Sequence, residues 1–219
     1  MLQKITELLS PSCCIKCNVE GSLLCSECSQ TQLIVKKPAC FYCNELNDDG
    51  RTCKRCRAKT SLNGVLVSYR LQNPVDELVY RLKYYGDRSA AELFAPSMAS
   101  LLEGSRFDML SFVPSDGRSQ RRRGYNQSLL LAKQVGRNTS VPVTKTMIRV
   151  AHTGQIGLGR QARLQSVRGN FMVITPQVAG ARVVIVDDVV TTGATLNECA
   201  RVLKQAGAKS VWGLAVAKR

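Results

Sequence analysis

Eight cysteines in four Cys-x-x-Cys pairs crowd the first quarter of this 219-residue chain and constrain it more than any other feature. The pairs are Cys14 and Cys17, Cys25 and Cys28, Cys40 and Cys43, and Cys53 and Cys56. A two-residue gap lets both sulfurs of a tight knuckle face one tetrahedral ion. Seven residues separate the first two knuckles and nine the last two, which suits a short hairpin in each. Two structural zinc ions are expected. They are held either sequentially, by Cys14, Cys17, Cys25 and Cys28 and by Cys40, Cys43, Cys53 and Cys56, or in an interleaved, cross-braced pairing. Spacing leaves both open. A disulfide framework needs an oxidising compartment, and the opening MLQKITELLSPSCC has no basic region followed by a sustained apolar core. The expectation is a cytoplasmic protein. Structural zinc supplies fold rather than chemistry, so the chemistry is sought downstream.

The composition changes near Ser61, which divides a metal domain (1–60) from a second domain (61–219). The net charge is +15, and four-thiolate zinc sites lower it by about two each. The basic surplus therefore belongs to 61–219, with 22 Lys and Arg against 10 Asp and Glu. Residues 117–186 contain no acid at all. A field of one sign over such a length attracts phosphates, in nucleic acid or in a small anionic ligand. No apolar run approaches membrane-spanning length.

Strand and helix patterns alternate after residue 61, which argues a parallel α/β sheet. Strands are expected at 64–71, 109–113, 182–186 and 210–217. Helices are expected after Asn73-Pro74, over 90–102, over 128–135 and from about 195 to 205. The segment SDGRSQRRRGYNQ reads as a loop, 141–146 as strand-like, and 149–170 as a long loop or hairpin. The stretch VVIVDDVVTTGATL runs four aliphatic residues into Asp187 and Asp188, then into small hydroxylated residues around Gly193. In open parallel sheets ligands bind beyond the C-terminal strand ends. A helix N-terminus there offers free N–H groups and a positive dipole end to a phosphate. Paired carboxylates beside it suit two neighbouring sugar hydroxyls. Neither a P-loop nor a GxGxxG fingerprint occurs.

This segment closely resembles the signature loop of type I phosphoribosyltransferases, which bind 5-phosphoribosyl-1-pyrophosphate with Mg²⁺. The resemblance implies that Asp187 and Asp188 contact the ribose hydroxyls and stabilise charge at the anomeric carbon. It implies that Val190, Thr191, Thr192, Gly193, Ala194 and Thr195 hold the 5′-phosphate. By the same likeness the loop from Pro114 through Ser115 to Arg118 grips pyrophosphate, and 149–170 closes over the ligand. Further motifs widen the match. Lys83-Tyr84 within LKYYGD, Arg123-Gly124-Tyr125-Asn126-Gln127, Gln155 and Arg163, and VRG-x-F at 167–171 are similar to the ComF family of bacterial competence proteins and its GntX-named relatives. That family places a double zinc ribbon before a phosphoribosyltransferase-like parallel sheet flanked by helices.

Two functions follow from the resemblance. One is a competence protein for natural transformation that binds phosphoribosyl pyrophosphate and handles incoming single-stranded DNA, with other DNA-uptake or recombination proteins as partners. It would work in the cytoplasm or peripherally at the inner membrane. The other is a phosphoribosyltransferase acting on a nitrogen acceptor. Arg219 follows the last expected strand closely, so a hood over the acceptor would have to come from 61–107 or from the metal domain. Tyr84, Tyr85, Tyr125 and Trp212 are the aromatic candidates for base stacking. Plainer roles stand beside these. Asn126 can cap a helix, Tyr125 can pack, and Lys83, Arg160 and Arg163 can be solvated surface charges.

Overall fold

The computed structural model describes residues 13–33, 37–85, 87–150 and 169–219. Among the described residues, the N-terminal segment folds around its cysteines and includes a short helix, α1 (Ser26–Gln32). There follow β1 (Gly64–Arg70), α2 (Val75–Tyr84), α3 (Ser89–Ser100), β2 (Met109–Phe112), α4 (Gly117–Arg123) and α5 (Gln127–Thr139). The chain continues through β3 (Met147–Arg149), β4 (Phe171–Val173), β5 (Arg182–Val190), α6 (Ala194–Gln205) and β6 (Ser210–Lys218). β1, β6, β5 and β2 form a parallel sheet in that order, and β3 pairs antiparallel with β4.

Side chains alternate across a strand, so each face of the sheet needs its own apolar cover. Val184, Val186, Leu214 and Leu110 face α2, α3 and α5, whereas Val183, Ile185, Val211 and Ala215 face α6. The covering helices share one pattern of buried positions. In α2 it is Val75, Leu78, Val79 and Leu82, and in α6 Leu196, Cys199, Ala200 and Leu203. This i, i+3, i+4, i+7 stripe points one helical face inward. Val183 to Val186 are fully buried, as the middle strand of a sheet covered on both sides must be. At the N-terminal end of the sheet, Asp108 clamps Arg182 through its backbone N–H at 2.7 Å and its guanidinium at 2.9 and 3.1 Å. That contact pins the register of β2 against β5.

Three details depart from the sequence reading. The expected loop before Tyr125 contains α4. Residues 141–146 contribute only an isolated parallel bridge, Leu110 with Val143, to the sheet edge. Strand β5 does not stop before the acids but runs through them to Val190. Most of 149–170 lies outside the described residues, as do Gln155, Arg160 and Arg163. Among the described residues, no helix is long and apolar enough to cross a membrane.

Candidate ligand site at the strand ends

The cleft exists because β2 is shorter than β5. The last β2 pairing is Phe112 with Val186, while β6 accompanies β5 to Val190. From Asp187 onward, β5 is therefore exposed on one edge only, and both acids stand where that edge opens. Asp187 Oδ1 accepts from the Asp188 N–H at 2.9 Å and from Ser128 Oγ at 3.0 Å. Asp188 Oδ1 accepts from the Val189 N–H at 2.6 Å and pairs with Lys83 Nζ at 3.0 Å. Its Oδ2 is buried with no partner among the described residues, on a side chain only 5% exposed. Burial, and then the charge of Asp188, push the Asp187 carboxyl up to about 7; the N–H of Asp188, Ser128 and Lys83 pull the other way.

Two spaces meet at Asp187. Thr191, Thr192, Gly193 and Ala194 line a pocket of about 240 Å³. Gly193 is the N-cap of α6 at φ 74°. The Ala194 N–H donates to Thr192 Oγ1 at 3.4 Å, and the rest of this helix N-terminus suits an anion. The second space is an open cleft of about 630 Å³ lined by Lys83, Tyr84, Pro114, Ser115, Asp116, Arg123, Gln127, Ser128 and Arg149. Asp187 and Thr195 belong to both.

The RGYNQ motif builds one wall. Asn126 caps α5, accepting from the Leu129 N–H at 3.1 Å, and its Nδ2 donates to the Val113 carbonyl at 3.0 Å. Gly124 turns at φ 75°. Tyr125 donates from its hydroxyl to the Leu82 carbonyl, fixing the end of α2 that carries Lys83. Arg123 reaches Gln127 at 2.9 Å. Arg118 stands exposed on α4. Ser128 and Arg149 were not singled out from sequence. Ser128 reads as an ordinary helix residue, and Arg149 as one of many bases. Of the aromatic candidates, Tyr84 and Tyr85 are exposed, but Tyr125 is partly buried and Trp212 packs on Phe107 near the opposite end of the sheet.

The cysteines cluster sequentially. Cys14, Cys17, Cys25 and Cys28 gather in one group and Cys40, Cys43, Cys53 and Cys56 in the other, all sulfurs of each group lying within 4.8 Å. The sulfurs of Cys17 and Cys25, and those of Cys43 and Cys53, are 3.6 Å apart. A tetrahedral site with Zn–S near 2.3 Å has sulfur–sulfur edges of about 3.8 Å. Both groups fit a double zinc ribbon. The Cys25 N–H, 3.5 Å from the Cys14 sulfur, leads the contacts that lower that thiol to about 6.

The fold and site define a class. Residues 125–218 match the phosphoribosyl transferase domain family, and they span the acids, the loop and strands β5 and β6 of the sheet. The whole chain narrows this further. It is 31% identical to competence protein F of Haemophilus influenzae, over 92% of this chain and 96% of that protein. It is 32% identical to the DNA utilization protein YhgH of Escherichia coli, over 93% and 96%. With competence protein ComFC of Streptococcus pneumoniae it shares 25% identity over 88% and 86%. The chain belongs to the competence protein F family.

Proposed function

We propose that this chain binds 5-phosphoribosyl-1-pyrophosphate with Mg²⁺ and acts in handling single-stranded DNA during natural transformation, in the cytoplasm beside the DNA-uptake machinery. The observation that carries the ligand is the meeting of two anion-suited spaces at Asp187, next in sequence to Asp188. The 5′-phosphate occupies the loop from Val190 to Thr195 on the N-terminus of α6. The ribose hydroxyls donate to Asp187 and Asp188, whose buried Oδ2 has no partner among the described residues. The pyrophosphate lies in the larger cleft, with Ser115, Arg123 and Arg149 along its walls. Mg²⁺ supplies neutralisation of the pyrophosphate oxygens, which are the hard ligands it prefers. Lys83 keeps Asp188 paired until the sugar arrives.

A specific surface supports nucleic acid. Tyr80, Tyr84 and Tyr85 are 52%, 51% and 74% exposed, and their rings gather 4.7 and 5.7 Å apart. Arg122 and Arg123 lie over the Tyr84 ring at 5.9 and 5.3 Å. Exposed rings interleaved with guanidinium groups suit stacked bases and a phosphate backbone. Tyr84 and Arg123 also line the cleft, so a bound strand would pass the sugar site. The names of the relatives in Haemophilus, Streptococcus and Escherichia support a role in competence and DNA utilization.

Calorimetric titration of the zinc-loaded protein with phosphoribosyl pyrophosphate and Mg²⁺ tests the ligand. Asp187→Ala with Asp188→Ala is expected to abolish binding, and unchanged affinity refutes the site. Incubation of the labelled sugar with bases, amines and oligonucleotides separates the readings. Pyrophosphate release with any acceptor establishes a transferase, while oligonucleotide binding without turnover establishes a handling protein. Anisotropy titrations of single-stranded DNA should weaken steeply with salt. A flat response contradicts strand binding by this surface.

A further inference from the structure

The two cysteine clusters dock on different parts of the chain. Leu23 and Leu24, beside the first cluster, join the core under α2 and α3. The second cluster lies against the phosphate loop. Phe41, between Cys40 and Cys43, is 6% exposed. Its ring passes so close to Gly193 that a Cβ placed there would stand 2.6 Å from the nearest ring carbon. Only glycine allows both this approach and φ 74°. Lys218, paired with Val190 at the start of the loop, donates from Nζ to the Phe41 carbonyl at 2.7 Å and to Asn44 Oδ1 at 2.8 Å. Its ammonium also lies 4.3 Å from the centre of the Phe41 ring. Tyr42 donates from its hydroxyl to Thr60 at 2.6 Å, and Thr60 donates to Asn197 Oδ1 at 2.8 Å. The Asn197 N–H in turn donates to the Gly193 carbonyl at 2.8 Å. Ring, ammonium and hydroxyl relay thus hold the loop from three sides, and all three contacts reach it through one knuckle.

We propose that metal at the second cysteine cluster braces the phosphate loop, with Phe41 as its positioning residue. Four thiolates on one ion fix the Cys40–Cys43 knuckle and thereby the ring against Gly193. Without the ion, the knuckle keeps its bonds to Lys218 and Thr60 but loses the cross-link that fixes its four sulfurs, and the Phe41 ring is held less firmly against Gly193. The loop then loses the wall that presents its N–H groups. The effect on ligand rests on the sugar-phosphate reading of the cleft; the effect on the loop does not.

Hydrogen exchange of the full chain, with zinc content measured in parallel, tests the brace. Cys43→Ser with Cys53→Ser should remove one of two zinc equivalents and speed exchange of the 191–197 amides at least tenfold, leaving α5 unchanged. Cys17→Ser with Cys25→Ser should remove the other equivalent without speeding that loop. Phe41→Ala retains all eight thiolates. It should keep both zinc ions, speed loop exchange at least threefold and weaken phosphoribosyl pyrophosphate binding about tenfold. Native loop exchange in Phe41→Ala overturns the brace, and this variant decides should the cysteine variants unfold throughout. If the wild type fails to bind the sugar while loop exchange still responds to Phe41, the brace stands and the ligand reading falls.

Discussion

Asp188 has one oxygen committed to Lys83 and one buried without a partner among the described residues, while Asp187 beside it is partly buried at the cleft. Removing the lysine leaves a buried carboxylate uncompensated. Lys83→Met should therefore destabilise the chain by about 1–3 kcal/mol. Adding Asp188→Asn should recover most of that loss, and urea denaturation of the single and double variants checks it. Asp187 gives a pH signature. Its carboxyl is raised to about 7, so the folded chain keeps a proton that the unfolded chain releases near pH 4. The stability this proton supplies is complete below about pH 4 and is lost as pH rises through about 7. Asp188, Lys83, Ser128 and Arg149 surround the group and are present across that range. Asp187→Asn should flatten stability between pH 4 and 7 in denaturation series. Affinity for the sugar should rise with pH over the same window in the native chain, because the carboxylate is the better hydroxyl acceptor.

Among the elements, the decisive feature is a mismatch of strand lengths. β5 outruns β2 by the four residues from Asp187 to Val190, and Asn126 closes the gap. Its side chain caps α5 with one atom and ties down Val113 with the other. Asn126→Ala should cost about 1–2 kcal/mol, from a lost cap and a lost buried hydrogen bond. It should also loosen the cleft wall. Asn126→Asp should restore the cap but not the bond to the Val113 carbonyl. Thermal denaturation ranks the three chains, and equal stability of wild type and Asn126→Ala contradicts the dual role. The sequence reading of Asn126 as a helix cap was sound but incomplete. Its Nδ2 partner lies thirteen residues upstream, just past the end of β2, which only the folded sheet brings alongside.

Across the whole molecule, the cysteine segment is part of both cores rather than an appendage. Leu23 and Leu24 bury under α2 and α3 on one face, and Phe41 buries beside Leu196 on the other. A metal that binds only the folded state stabilises by mass action. Chelation should lower the melting temperature of the whole chain, not merely melt its first fifty residues. Calorimetry with and without chelator tests this, and an unshifted main transition refutes the shared core. A tryptophan probe is already in place, since Trp212 is partly buried against Phe107.

Sequence by itself determined the local and periodic features. Knuckle spacing named the candidate metal ligands, alternating strand and helix patterns named the parallel sheet, and VVIVDDVVTTGATL named the strand, the acids and the loop. Each depends on residues close in the chain, where geometry follows directly from spacing. Tertiary structure decided the rest. It settled the sequential grouping of the cysteines, turned Lys83 from a surface charge into the partner of Asp188, brought Ser128 and Arg149 into the cleft, and set Phe41 on Gly193. Ser128 with Asp187, Lys83 with Asp188 and Phe41 with Gly193 are 59, 105 and 152 positions apart. No short-range pattern encodes them, because they depend on which strands stop first and which faces of the sheet the helices and knuckles cover.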